Sequence, residues 1–371
     1  MKIKLFYHSL LSDWNHGNAH FLRGVATELI RRGNLVEIYE PENSWSLTNL
    51  IADNGNNALQ EFQNYYPELK STFYNIKNIN LDKILFDADL VLVHEWNEHE
   101  LVKKIGEKSK KYSFRLLFHD THHRAVTEKK KMEAYDLVNY DGVLAFGEII
   151  KNIYLKEGWT KKAWTWHEAA DTNIFKPFPK TDNKGDVVWI GNWGDDERTK
   201  ELHEFLIEPV KELNLKAKMY GVRYPELAKN DLMKAGIEYG GWLPNFKAPE
   251  MFSKYKFTVH VPRRPYVQTL PGIPTIRPFE AMACGIPLIS APWNDVENLF
   301  EAGKDYLAVN NKMEMLESMK KILNDEGFAN QISEHGIKTI HAKHTCVHRV
   351  NELYDICEEI AVNNFAKESI A

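Results

Sequence analysis

Several short stretches combine side chains that could do chemistry. The densest is Pro271–Trp293, PGIPTIRPFEAMACGIPLISAPW. Pro278 suits a first helical position, where its missing N–H costs nothing, and Gly285 followed by Pro287 suits the helix end. The unpaired N–H groups from Phe279 onward would make a positive helix terminus able to hold phosphate. Glu280 stands beside it and can accept hydrogen bonds from sugar hydroxyls. A capped core helix whose Glu complements the dipole is the plainer alternative. Just upstream, Arg263 and Arg264 lie between Pro262 and Pro265, a pairing suited to neutralising a diphosphate. On an extended segment adjacent side chains diverge, so one of the two is expected to reach it, Arg264. A turn, Gly191-Asn192-Trp193-Gly194, feeds a helix carrying Arg198, whose guanidinium fork also fits phosphate oxygens. Beside it Asp195, Asp196 and Glu197 allow the alternative of an ordinary acidic first turn with a surface Arg.

Two further clusters follow apolar runs. Phe86–Val93 leads into His94-Glu95-Trp96-Asn97, and Arg115–Phe118 into His119-Asp120-Thr121-His122-His123. His and Asp are metal-ligand types, but neighbours at i, i+1, i+3 and i+4 converge on one ion only in special geometry, and no metal site is expected. His119 and Asp120 can instead hydrogen-bond a polar ligand beyond the strand end, or the loop is simply a His-rich surface turn.

The elements that must position these groups read as two α/β halves. Ile3–Tyr7 is a strand, His8–Asn18 a polar loop, His20–Arg32 a helix ended by Gly33, and Leu35–Tyr39 the next strand, a βαβ opening that implies a parallel sheet. In open sheets of this kind ligands bind beyond the carboxyl ends of the strands, where the polar clusters fall. Only Gly17 occurs in the first loop, so a dinucleotide fingerprint is absent. Asn15, His16, Gly17 and Asn18 are candidates to line a site, with a solvated turn as the alternative. Trp45–Asn64 reads as a helical excursion or a flexible insertion. Val143–Phe146 is the expected last strand of the first half, with a helix from Glu148 to Glu157. The Pro-bearing run Pro177–Lys184 is the expected linker. Asp186–Ile190 opens the second βαβ unit, with a helix from about Glu197 to Leu213, then strands Lys216–Tyr220, Ile237–Tyr239 and Phe257–Val261. Asp295–Phe300 and Ala302–Leu307 are expected to continue a helix–strand edge, and His348–Ala361 is a final helix.

Bulk properties agree with this division. The 371 residues are enough for about two domains, and 43% hydrophobic and 27% charged residues are ordinary for a soluble globular chain. A formal charge of −5 gives no general basic field for nucleic acid, although Lys103–Lys111 and Lys129–Lys131 are local basic runs. Three scattered cysteines make neither a disulfide framework nor a Cys-rich metal site, and no apolar run is long enough to span a bilayer. A cytoplasmic location is expected.

The segment Phe279-Glu280-Ala281-Met282-Ala283-Cys284-Gly285-Ile286-Pro287 resembles the donor-site motif of GT-B glycosyltransferases, especially glycosyltransferase family 4, and the longer PGIPTIRPFEA form is similar to the CgeB-like group. In family 4 the second Glu of an E-x7-E pair contacts the nucleotide ribose, and Glu280 matches it. The first Glu falls at Gly272, so backbone groups of Pro271–Thr275, among them Gly272, Ile273 and Thr275, are the expected replacements. Ala170-Asp171-Thr172-Asn173-Ile174-Phe175-Lys176-Pro177 is similar to the segment that enters the second domain of many GT-B enzymes. Gly240-Gly241-Trp242-Leu243-Pro244 resembles the turn that brackets the nucleobase, Trp242 either stacking on the base or filling the core.

The resemblance implies two Rossmann-like domains facing a cleft: residues 1–175 with a C-terminal helix 348–371 crossing back, for the acceptor, and 176–347 for the donor. It implies transfer of a hexosyl or pentosyl group from a nucleotide-diphosphate sugar, UDP-sugar first, retaining and metal-independent, with no tightly bound cofactor. His119, Asp120 and Arg198 are the expected catalytic residues. Glu280, Arg264, Arg263, Gly191, Asn192, Trp193, Trp242 and Phe279 are expected on the donor, and His94 and Glu95 join the first loop on the acceptor side. The acceptor is a glycan or small molecule, with DNA less favoured. A non-catalytic nucleotide-sugar binder and a nucleotide-sugar epimerase are the competing readings, and oligomeric state stays open.

Overall fold

The computed structural model describes residues 1–179 and 183–368, so positions 180–182 of the expected linker and 369–371 of the expected terminal helix lie outside the described residues. The chain divides into two compact units, Met1–Glu168 with Cys346–Ala371, and Ala169–Thr345.

Unit 1 is built on seven strands: β1 (Lys2–Phe6), β2 (Leu35–Pro41), β3 (Ser71–Tyr74), β4 (Leu90–His94), β5 (Arg115–Asp120), β6 (Gly142–Ala145) and β7 (Ala163–Thr165). All pair in parallel, in the order β3-β2-β1-β4-β5-β6-β7. Parallel pairing demands covered faces, and every residue of β4 is buried as a result. The helix Ala19–Arg31 buries Phe21, Leu22, Val25, Ala26 and Leu29 on one side, the spacing of an amphipathic helix. Burying Phe21, Leu22, Val25 and Leu29 contributes about 1.5–3 kcal/mol each. The terminal helix Cys346–Glu368 belongs to this unit and packs on Ala19–Arg31.

Unit 2 holds six more: β8 (Gly185–Ile190), β9 (Ala217–Tyr220), β10 (Ile237–Tyr239), β11 (Tyr255–His260), β12 (Leu288–Ser290) and β13 (Leu307–Ala308). They are parallel in the order β10-β9-β8-β11-β12-β13. Its core gathers Val187, Trp189, Phe257 and Val259 from the central strands with Leu206, Val210 and Met315 from the covering helices. Each sheet reverses its winding once, between β1 and β4 and between β8 and β11. In open sheets of this kind that reversal point, at the carboxyl ends of the strands, is where ligands bind.

Several local expectations change. Phe86–Asp89 is not strand but the end of a short helix and a turn, which leaves Phe86 64% exposed; β4 begins only at Leu90. β7 adds a strand beyond the expected last one, since Ala163–Thr165 pairs with Val143–Ala145. Trp45–Asn64 resolves into helices Trp45–Asn54 and Asn57–Tyr65. The helix expected over 197–213 is broken into a 3-10 turn, Thr199–Leu202, a wide π turn at His203–Ile207 and Glu208–Glu212. Pro209 has no N–H to return to the preceding turn, which favours such a break. Asp295–Phe300 is a turn rather than a helix, and β13 is only two residues. Among the described residues no helix is long and apolar enough to cross a membrane.

Candidate functional site

In unit 2 the groups with chemical potential collect at the carboxyl ends of β8, β9 and β11. Gly191 follows β8 with its N–H on Tyr220 O at 2.8 Å, and Gly221 sends its N–H to Gly241 O at 2.8 Å, so three strand-end loops run side by side. The approach tolerates no side chain: a Cβ on Gly221 would lie 1.9 Å from Gly191 O. Asn192 Oδ1 accepts from Val222 N at 3.0 Å and ties the same loops. Trp193, by contrast, is 2% exposed, packs against Tyr224, and donates from Nε1 to Thr199 Oγ1 at 2.9 Å, which makes it core. Trp242 is half-buried on the loop after β10.

Arg198 closes this end of the sheet. Its guanidinium donates to the carbonyls of Trp193 (3.3 Å), Val261 (2.9 Å) and Asn192, clamping the loop after β8 to the loop after β11. Burial, then the charges of Arg263 and Arg277, push its pKa down to about 9. Arg263 reaches the same place: a Cβ on Gly194 would stand 2.9 Å from Arg198 Nε and 3.4 Å from Arg263 Nε. Arg264 does not. It opens the short helix Arg264–Gln268 instead of extending β11, and its Nε donates to Glu201 at 2.8 Å. The extended geometry expected for the Arg pair is therefore replaced by a turn that separates them, with Arg263 the one beside Arg198.

The helix after this loop runs Ile276–Cys284, starting two residues earlier than expected, so Pro278 is its third residue; the first-turn N–H it lacks has no intrahelical partner in any case. Gly285 ends it in the left-handed conformation, as its position before Pro287 implies. Thr275, at the N-cap, has φ 59°, a costly value for a β-branched residue. Glu280 is fully buried and ion-paired to Arg277 one turn earlier. Phe279 and Ile273 are also fully buried, Phe279 against Phe300 and His344, and both belong to the core. Gly272 has φ 92°, and a Cβ there would lie 2.9 Å from both Cγ and Oε1 of Glu297. The space where the motif would carry its first Glu is thus bordered by a carboxylate from the next loop.

His260, at the end of β11, faces Ser290 Oγ at 2.9 Å through Nδ1, and burial with the nearby Arg198 and Arg277 holds its pKa down near 3. Arg277, His260 and Glu297 were not singled out from sequence. Arg277 had a readable signal, opposite charge three residues before Glu280; the other two are brought in only by the fold.

In unit 1 the polar clusters again sit at strand ends. Asn18 Nδ2 donates to Thr121 O at 2.9 Å and Thr121 Oγ1 at 2.7 Å, and His94 Nε2 lies 2.9 Å from the same hydroxyl, so the loops after β1, β4 and β5 meet at Thr121. Asn15 lies in the same first loop with φ 50°, and Gly17 is exposed there. His16 is 5% exposed, its ring edge-on to His94 at 6.1 Å, and His94 in turn is 5.5 Å from His119. Burial keeps all three neutral, His16 and His119 near 3 and His94 well below the usual imidazole range. His119 packs among Phe21, Trp166 and His94 with neither ring nitrogen hydrogen-bonded among the described residues.

Glu95 and Asp120 are a fully buried carboxyl pair. Asp120 accepts from His122 N at 3.0 Å and Tyr154 Oη at 2.9 Å; Glu95 accepts from Thr121 N at 3.2 Å and faces Arg124 Nη1 at 3.2 Å. Burial raises both, Glu95 strongly and Asp120 to about 6, and their proximity lets one proton serve the two. Asp120 is therefore a strut beneath the loop and not an exposed carboxylate. Among the described residues no three His, Cys, Asp or Glu groups are placed to hold one metal ion.

Residues 198–355 match the family model described as glycosyl transferase-like. Among solved structures, the chain is similar to Anabaena Alr3699/HepE in complex with UDP, at 14% identity over 97% of this chain and 100% of that one, with a TM-score of 0.68. It is also similar to sucrose-phosphate synthase from Thermosynechococcus elongatus (13% identity, 98% and 100% covered, TM-score 0.64). A third likeness is to an alpha-glucosyltransferase in complex with UDP and a 13-mer DNA containing a HMU base (11% identity, 96% and 99% covered, TM-score 0.66). No curated protein matches the sequence. At these identities the structural likeness speaks for the fold. The chain has the GT-B fold of glycosyltransferases, two Rossmann-like units, and most of the second carries the sequence pattern of the glycosyl transferase-like family.

Proposed function

We propose that the chain transfers a glycosyl group from a nucleoside-diphosphate sugar, UDP-sugar being the first candidate, with unit 2 holding the nucleotide and unit 1 receiving the acceptor. The observation that carries this reading is the gathering of Arg198, Arg263 and Arg277 around the loop after β8 and the start of the helix Ile276–Cys284. Arg263 and Arg277 already face Glu197 and Glu280, whereas Arg198 donates only to backbone carbonyls among the described residues, and a diphosphate would supply it with an anionic partner. UDP in the HepE and alpha-glucosyltransferase complexes supports the choice of nucleotide.

In the reaction the bond from the anomeric carbon to the diphosphate breaks, and the acceptor oxygen bonds to that carbon. Negative charge grows on the leaving phosphate, and Arg263, Arg198 and the helix terminus, already oriented, favour that charge over the ground state. Glu280, held by Arg277, is assigned to the ribose hydroxyls, Glu297 to the sugar side of Gly272, and Trp242 to the base. The acceptor proton passes to a leaving phosphate oxygen if configuration is retained. Asp120 positions the His119–His123 loop. Because guanidinium groups meet the diphosphate, binding is expected to persist in EDTA.

Of the two basic runs, Lys104, Lys108, Lys111, Lys129 and Lys131 are ion-paired to Glu100, Asp82, Asp82, Glu157 and Glu128, which argues against a phosphate-backbone surface. The test is a thermal-shift and calorimetry series with UDP, GDP, ADP and their glucose conjugates, with and without EDTA. At 100 times Kd a ligand adds about 2.7 kcal/mol, a shift of roughly 5–10 °C for a unit of this size. A shift with the uridine series, lost in Arg263→Ala, supports the reading; silence across the series overturns it. Isomerisation of the donor without any acceptor marks an epimerase, and binding with neither transfer nor hydrolysis marks a binder.

A further inference from the structure

Three tryptophans of unit 1 gather beside these loops. Trp14 comes from the loop after β1, Trp45 from the first turn of the helix after β2, and Trp96 from the loop after β4, three adjacent strands spanning the point where the sheet reverses. All three are half-buried. Trp45 is central, 6.2 Å from Trp14 at 71° and 6.4 Å from Trp96 at 72°, and the His8 ring lies 5.1 Å from it.

These rings are held in place. Trp14 Nε1 donates to Asp53 at 2.7 Å, and Ser46 Oγ donates to the Trp14 carbonyl at 2.7 Å. Arg124 lies 4.5 Å above Trp96. At their base His8 and His16 are 4% and 5% exposed, neutral through burial, and the Nε2 of each has no hydrogen-bond partner among the described residues.

We infer that this cluster binds a pyranose ring of the acceptor, so that the acceptor is a carbohydrate. The inference rests on the glycosyltransferase reading for the word acceptor, but not for the binding. Apolar C–H faces of a pyranose pack on indole faces, while its hydroxyls, donors and acceptors at once, suit neutral imidazole nitrogens. The rings meet edge to face, which offers no parallel slot for a flat base. Charge points the same way. Arg23 is tied to Asp13 at 2.9 Å and Arg124 to Glu95 and Glu128, so a phosphodiester strand meets cations already compensated.

The experiment uses the full chain without nucleotide and four probes: methyl α-D-glucopyranoside, maltose, cellobiose and a 10-mer single-stranded DNA. Tryptophan fluorescence and saturation-transfer NMR read binding. At least one saccharide is expected to bind, with affinity falling at least 10-fold in Trp45→Ala, changing less than threefold in Trp45→Phe, and unchanged in a variant of the exposed Lys320, Lys320→Ala. Circular dichroism confirms that the variants fold; should Trp45→Ala not fold, Trp14→Ala takes its place. No saccharide binding, binding indifferent to the tryptophans, or DNA binding that depends on Trp45 overturns the inference. Loss of UDP response with saccharide binding intact tells against the donor site and not against this one.

Discussion

At the scale of single residues, the consequential pair is Arg277 and Glu280. Glu280 has no exposed surface, and its carboxylate is matched by the guanidinium one turn earlier. Arg277→Ala leaves a charge buried without that partner, and a cost of about 2–4 kcal/mol is expected in denaturant unfolding, with weaker uridine nucleotide binding. Arg263→Ala should behave differently. Arg263 is half-buried and held by Glu197 at 3.1 Å, so melting should move little while donor affinity drops at least 10-fold by calorimetry. Equal losses in Arg263→Ala and Arg264→Ala would contradict the separation of the two side chains. The place of Glu280 within a helix was readable because helix signals stand on both sides of it. The choice between Arg263 and Arg264 was not, because it turns on whether the chain after β11 stays extended, and Pro265 begins a helix there.

At the scale of elements, Gly272 shows how a loop can forbid a motif. With φ 92° and Glu297 filling the place of a Cβ, Gly272→Ala is expected to cost about 1–3 kcal/mol, measured by urea unfolding, and Gly272→Glu more. Strands and most helices were legible, since runs such as Leu90–Val93 and the repeat in Ala19–Arg31 carry strong periodicity. What escaped were short pieces whose shape is set by neighbours. β3 has two exposed residues in four, β7 is three half-buried residues recruited by the edge of β6, and the π turn at His203–Ile207 answers to a proline beyond it. The three-tryptophan cluster escaped for the same reason, since Trp14, Trp45 and Trp96 meet only once three strands are laid side by side.

At the scale of the whole molecule, buried titratable groups set the response to acid. His8 titrates near 4, and His16, His119 and His260 near 3, all lowered by burial. In the unfolded chain these imidazoles take up protons below about 6.5. Their contribution to stability is therefore complete above that value and is lost as pH falls toward 3–4. Glu40 and Asp120, raised by burial to about 7 and about 6, carry the opposite sign: their contribution is present at low pH and lost as pH rises through those values. The imidazoles outnumber them, so stability should decline below about pH 6. His16→Asn is expected to lower the slope of unfolding free energy against pH by about one proton between roughly pH 4 and 6, from urea curves at stepped pH. An unchanged slope would show that His16 is protonated in the fold.

The chain leaves unit 1 after Glu168 and returns at Cys346, and just inside those points Ala170 and Thr345 form a parallel bridge, with Ala170 N on His344 O at 2.9 Å. In architectural terms the second unit is an insertion whose two ends are stitched together, and the first is a host interrupted at one spot. Such an arrangement makes the insert separable. Residues 169–345 expressed alone would begin and end at the same stitch, and the host could be rejoined by a few residues between 168 and 346. Inheritance can use the same seam: because the insert is one continuous stretch of chain, one host surface could receive a different nucleotide module, or one module a different host, by replacement of one uninterrupted stretch of coding DNA.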